Sequence, residues 1–142
     1  MISPEILVFS KIANRLRTEK PGIFVTGDDT TSPATFPAVV IVEADNTVVQ
    51  RMRLAAPDIE QAASLLYEVN IYTNRIGYKR LDAKEIMQII DEEFASMGFT
   101  RTLCNPVANL QDASIYRLVA RYTGAVKAET EGLDEVIRVY TN

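Results

Sequence analysis

The segment from Asp82 to Gly98 places the tightest constraint on how this chain folds. Ile86, Ile89, Ile90, Phe94 and Met97 recur three and four residues apart, so in an α-helix they make one apolar stripe. Lys84, Gln88, Asp91, Glu92 and Ser96 fall mainly on the opposite side, which is expected to be wet. Asp82 suits an N-cap, and Glu85 three residues later completes a capping-box pattern. Gly98 stands where a residue of positive φ commonly ends a helix. Roughly 16 residues rising about 1.5 Å each give a rod of about 24 Å, enough to cross a small sheet.

The flanking segments alternate with the period of strands. From Ser64 to Thr73, Leu65, Tyr67, Val69 and Ile71 share one face while Glu68 and Asn70 point the other way. After the helix, Phe99 to Leu103 reads as a strand broken by Asn105-Pro106, and Ile115 to Val126 as the longest strand. In the latter Tyr116, Leu118, Ala120 and Tyr122 alternate with Arg117, Val119 and Arg121. The helix is expected to lie on the apolar face of the sheet these strands form.

Upstream, Ser3-Pro4-Glu5 reads as a helix start, with a capping serine, proline at the first helical position and an acid in the first turn. Ile6, Phe9, Ile12 (or Ala13) and Leu16 then recur at helical spacing, with Arg15 and Arg17 near the C-terminal end and Lys20-Pro21-Gly22 as the stop. Its stripe packs on the sheet, or part of it meets a neighbouring subunit. Ile23 to Thr26 reads as a short strand, and Gly27 to Pro37 as a loop. Ala38 to Ala44 is nearly all apolar, so it is expected inside a sheet. Asp45-Asn46 then predicts a turn, with Thr47 to Arg53 returning as a hairpin partner. Ile59 to Ala63 is too short to assign.

Together these elements predict a single α+β domain over residues 1–127, a mainly antiparallel sheet of four to five strands with two packed helices. Residues 128–142 are expected to form a C-terminal arm or edge strand, because Leu133, Glu135, Ile137 and Val139 alternate with Asp134, Val136, Arg138 and Tyr140. Such a segment pairs within its own sheet or adds to another chain.

At 142 residues the chain is long enough for one domain that buries roughly two-thirds of its unfolded surface. No apolar run of about 18 residues appears, so no membrane span is expected. The first five residues carry no positive charge, so a secretory signal is not expected either. One cysteine, Cys104, permits no internal disulfide and fits a reducing compartment; it is expected to be a buried or half-buried small residue. A net charge of −4 and a pI near 4.9 argue against a protein that grips nucleic acid through a basic patch. DNA passing nearby without specific binding remains compatible, since an acidic lining repels phosphate.

The residue chemistry offers no reactive centre. With no histidine, every Ser-His, Cys-His or histidine-metal arrangement is excluded, and one cysteine is too few for a zinc site. Six glycines are scattered at element ends and form no phosphate cradle. Asp91-Glu92-Glu93 diverge around a helix and read as a solvated face. Asp28-Asp29 in the loop are two adjacent carboxylates, more simply a solvated turn than a cation site. The linker Asn74 to Arg80 carries Arg75, Lys79 and Arg80, a basic turn. Arg117 and Arg121 share one face of their strand, and Arg101 is a candidate to join them. That face either pairs internally with acids such as Glu68, or docks against acids of an identical neighbour.

Three stretches carry a family resemblance: Phe36-Pro37-Ala38-Val39-Val40-Ile41-Val42-Glu43, Tyr67-Glu68-Val69-Asn70-Ile71-Tyr72, and Gly98-Phe99-Thr100-Arg101 running on through Pro106-Val107 to Asp112, Tyr116-Arg117-Leu118 and Arg121-Tyr122. With the order of elements, they resemble the tail terminator (tail completion, head–tail joining) proteins of long-tailed bacteriophages, from about Pro4 to Val126. The resemblance implies a non-catalytic α/β domain that acts as a ring of six copies. It caps the tail tube and presents a surface to the head connector or neck protein, with DNA passing through the lumen. It also implies assembly in the host cytoplasm, a place in the virion, and no cofactor or metal. Candidate interface residues are then Arg101, Arg117, Arg121, Asp28, Asp29, Arg75, Lys79 and Arg80. The alternatives are a small-molecule- or metal-binding α+β domain, enzymes included, and a bacterial adaptor domain of similar architecture only.

Overall fold

The computed structural model describes residues 3–28, 33–48, 62–109 and 112–127. Their elements run α1 (Glu5–Glu19), β1 (Phe24–Thr26), β2 (Ala38–Val48), β3 (Ala62–Thr73), α2 (Lys79–Ser96), β4 (Thr100–Val107) and β5 (Tyr116–Lys127). One five-stranded sheet has the order β1-β2-β3-β5-β4. Only β1 and β2 are parallel; the other neighbours are antiparallel. This is the expected α+β class. β3 is central, paired along its length with β2 and β5, whereas β1 covers only Ala38 to Val40 of β2.

Both helices lie on one face. Val8, Ile12, Ala13 and Leu16 of α1 join Ala83, Ile86, Ile90 and Phe94 of α2 in one buried core with Val39, Ile41, Leu65, Tyr67, Val69 and Ile71. The predicted α2 stripe is buried throughout. Four rings fill its centre: Phe94 stacks on Tyr122 at 4.1 Å and meets Phe99 edge-on at 5.4 Å, while Tyr67 touches both Phe94 and Phe99. The end of α2 is a Schellman motif. The Phe99 N–H donates to the Phe94 carbonyl and the Gly98 N–H to the Ala95 carbonyl, with Gly98 at φ +84°.

The helices are clamped together by charge at their surface. Arg15 bonds Glu92, and Lys20 bonds Glu85, so α1 and α2 run antiparallel. The acidic run on α2 is therefore paired rather than merely solvated: Asp91 takes Arg101 and the Tyr122 hydroxyl, and Glu92 and Glu93 face Arg15.

Several boundaries differ from the sequence expectation. α2 begins at Lys79 behind Tyr78, and Asp82 is not its cap; its carboxylate is taken by Arg75 in a two-pronged ion pair. Pro4, not Ser3, is the N-cap of α1, with no side-chain cap. Ile6 is 79% exposed, and Val8 takes the inward position in its place. Asp45-Asn46 makes no turn: β2 runs through to Val48, and a bulge between Glu43 and Asp45 absorbs the extra residue. Thr47 and Val48 thus belong to β2, and the rest of the proposed return strand lies outside the described residues. β4 continues through Asn105-Pro106, because an edge strand tolerates a missing N–H on its free side. Gly124 lies inside β5 rather than at an element end; a Cβ there would stand 2.7 Å from the Phe99 ring. Asp29 and residues 128–142 lie outside the described residues.

Candidate interaction surfaces

The sheet face away from the helices carries a polar ladder. Glu68 of β3 stands opposite Arg121 of β5, and their side chains form an ion pair at 3.0 Å. The Asn70 amide donates to Glu68 at 3.1 Å and accepts from Arg117 Nε at 2.8 Å. Arg117 also lies over the Tyr72 ring, 5.7 Å from its centroid. Strand alternation makes this chain, since Glu68, Asn70 and Tyr72 all point away from the helices. Asn70 and Tyr72 are nonetheless buried, and Ala38, Val40 and Tyr72 form a second small apolar cluster with Phe36, Val42 and Ile115. Arg117 and Arg121 therefore share a face and pair internally.

Arg101 does not join them. A bulge between Arg101 and Leu103 sets Arg101 opposite Tyr122, on the helix face, and Leu103 opposite Arg121. The Arg101 guanidinium reaches Asp91 of α2 at 2.8 Å.

A second surface lies where β3 turns into α2. Arg75 sits between the Asp82 carboxylate, 2.7 Å away, and the Tyr78 ring, 4.2 Å from its centroid. The Asp82 partnership holds the guanidinium's proton more firmly still, raising its pKa above the usual arginine value. Thr73 Oγ1 donates to the Lys79 carbonyl at 2.7 Å, fixing the first turn of α2 to the end of β3. This rigid turn presents Ile76 (89% exposed), Tyr78 (50%) and Leu81 (53%) to solvent. Arg80 is exposed beside them and Lys79 half-exposed.

A third surface lies at the other end of the helix layer. Glu5, Ile6, Phe9, Asp28, Ile41 and Tyr67 line a cleft of about 270 Å³. Glu43 adjoins it and accepts from the Tyr67 hydroxyl at 3.2 Å. Burial pushes the Glu43 carboxyl above its usual pKa, and the Glu5 charge adds to this, against hydrogen bonds from Tyr67 and Asn46. Asp28 is exposed, its own N–H donating to Thr26 Oγ1.

A cavity of about 540 Å³ lies between the end of α1 and the start of α2. Each of its charged side chains is already engaged: Glu19 by Arg15, Lys20 by Glu85, Arg75 by Asp82. Among the described residues no group of three or more acids or cysteines is placed to hold a metal ion, and no helix is long and apolar enough to cross a membrane. Cys104 is half-buried and packs against the core.

The exposed apolar residues Ile76, Tyr78 and Leu81, and the Glu5–Glu43 cleft, were not singled out by the sequence reading. The available signal was two large apolar residues inside a short cationic linker, a place where solvated turns normally carry none. The chain matches no model of a known protein family and no curated protein.

Proposed function

We propose that this chain is a non-catalytic assembly protein that works as a ring at the end of a phage tail tube, joining it to the head connector. The observation that carries the reading is the division of labour among its charged residues. In the sheet, in the helix clamp and around the cavity between α1 and α2, acids and bases neutralise one another in place, a pattern that holds a rigid unit. Among the described residues the most exposed large apolar side chains are Ile76, Tyr78 and Leu81 at the turn into α2 and Ile6 in the first turn of α1, with Phe24 and Val107 less exposed elsewhere. A cluster such as the one at the α2 turn serves contacts between proteins. The resemblance to tail terminator proteins agrees with both features. The acidic balance of the chain suits a lumen that lets DNA slide without gripping it.

Native mass spectrometry and negative-stain images of the purified chain at micromolar concentration test this directly. A closed ring of about six copies is expected, free or on tube ends, since head-to-tail contacts close when the rotation permits. A chain that stays monomeric and does not bind tail tubes overturns the reading.

A further inference from the structure

The ring reading leaves open which surfaces meet, and the structure offers two that are complementary. We propose that the turn opening α2 on one copy seats in the cleft beside the first turn of α1 on the next copy. This inference rests on the ring-forming reading given above. The donor surface is apolar and basic: Ile76, Tyr78 and Leu81 stand out with Lys79 and Arg80 around them. The acceptor is apolar and acidic: Ile6, Phe9 and Ile41 line a cleft whose rim carries Glu5 and Asp28.

Sign decides against the other pairings. Two donor turns facing each other would set Lys79 and Arg80 against their equals, and two clefts would oppose Glu5 and Asp28 with their own copies. Like-charge contacts of that sort oppose docking, whereas turn-in-cleft brings opposite charges together. Among the described residues neither Arg80 nor Glu5 has an ion-pair partner within its own chain, so both are available to a neighbour.

Placement makes the contact head-to-tail. The turn is tied to Thr73 and the cleft is floored by Tyr67, both on β3. Six residues of strand put the two surfaces about 20 Å apart along the sheet. One copy cannot satisfy itself, and each copy offers one donor and one acceptor, the requirement for a ring or a helix of subunits. The donor is also pre-ordered, because Arg75 is locked between Asp82 and the Tyr78 ring. The Tyr78 ring then loses little freedom on docking, and Tyr is among the residue types most often found at interface hot spots.

Charge reversal on the full-length chain tests the pairing. Arg80→Glu places an acid in the first turn of α2, which suits the helix dipole, and Asp28→Arg alters an exposed loop residue, so both variants should keep the parent melting temperature. Each alone is expected to weaken assembly about tenfold or more in apparent dissociation constant. An equimolar mixture of the two is expected to restore rings, because every contact in an alternating ring then joins opposite signs. Ile76→Asp gives a second reading on the apolar part and should also weaken assembly. Wild-type rings left untouched by Arg80→Glu, Asp28→Arg and Ile76→Asp overturn this interface while the ring reading stands. Loss of rings in both charge variants without recovery in the mixture also overturns it. A wild-type chain that never forms rings, even on tube ends, removes both.

Discussion

The ring of Tyr122 on β5 lies flat against that of Phe94 on α2, centroids 4.1 Å apart and planes within 14° of parallel. This contact fixes the helix to the sheet. The Tyr122 hydroxyl continues the link by donating to Asp91, whose carboxylate also takes Arg101 from β4. Three elements thus converge on one stack. Phe94→Ala should cost about 3–5 kcal/mol of stability, the range for deleting a fully buried aromatic ring, as read by urea unfolding. A cost below about 1 kcal/mol would show that the four-ring cluster does not anchor α2.

Gly124 is required by a neighbour rather than by its own backbone. A methyl group there meets the Phe99 ring at 2.7 Å, so Gly124→Ala should destabilise by about 1–3 kcal/mol through overpacking. Trimming the ring with Phe99→Leu makes room, and the double variant should lose less than the two single losses added together. Strict additivity in that cycle would mean the two sites do not touch.

Asn70 is buried in the outer ladder, with its amide donating to Glu68 and accepting from Arg117. Asn70→Ala strands the Arg117 donor and should cost about 1–3 kcal/mol. The Glu68–Arg121 pair one step along the ladder is more open to water, so Arg121→Gln should cost less than about 1 kcal/mol. Equal losses at the two positions, measured by denaturant unfolding, would contradict this ordering.

Glu43 sets a pH dependence. Burial raises its folded-state pKa above the ordinary value of 4.5, so the folded chain holds this proton more tightly than the unfolded one. Stability from this group is therefore fully present below pH 4.5 and is lost as pH rises through the raised folded value. Glu43→Gln, which keeps an acceptor for Tyr67, should melt higher than the parent at pH 7 and equally at pH well below 4.5. A variant less stable than the parent at neutral pH would refute the sign.

What the sequence made legible was periodic. The α2 stripe, the alternation in β3 and β5, and Gly98 as the helix stop all follow from the spacing of apolar residues and one glycine. The departures arise where a single residue of offset or a neighbouring element decides. The bulge after Arg101 turns that side chain to the helix face, and alternation counted along β4 cannot register it. Asn105-Pro106 and Asp45-Asn46 are turn-forming pairs by composition, yet one lies on a sheet edge and the other follows a bulge, contexts that only pairing reveals. Asp82 carries the right side chain for a cap, but Arg75 claims its carboxylate and the helix starts one turn earlier. The candidate surfaces were half legible: Arg75, Lys79, Arg80 and Asp28 stand out by charge, whereas the apolar residues beside them matter through exposure, which spacing does not report.

The outer border of β4 is interrupted twice, by the kink at Thr102 and by Pro106, which has no N–H to give. A row of amides so broken makes a poor template for another extended chain. An extended segment of another copy therefore finds few N–H groups in register to pair with along this side.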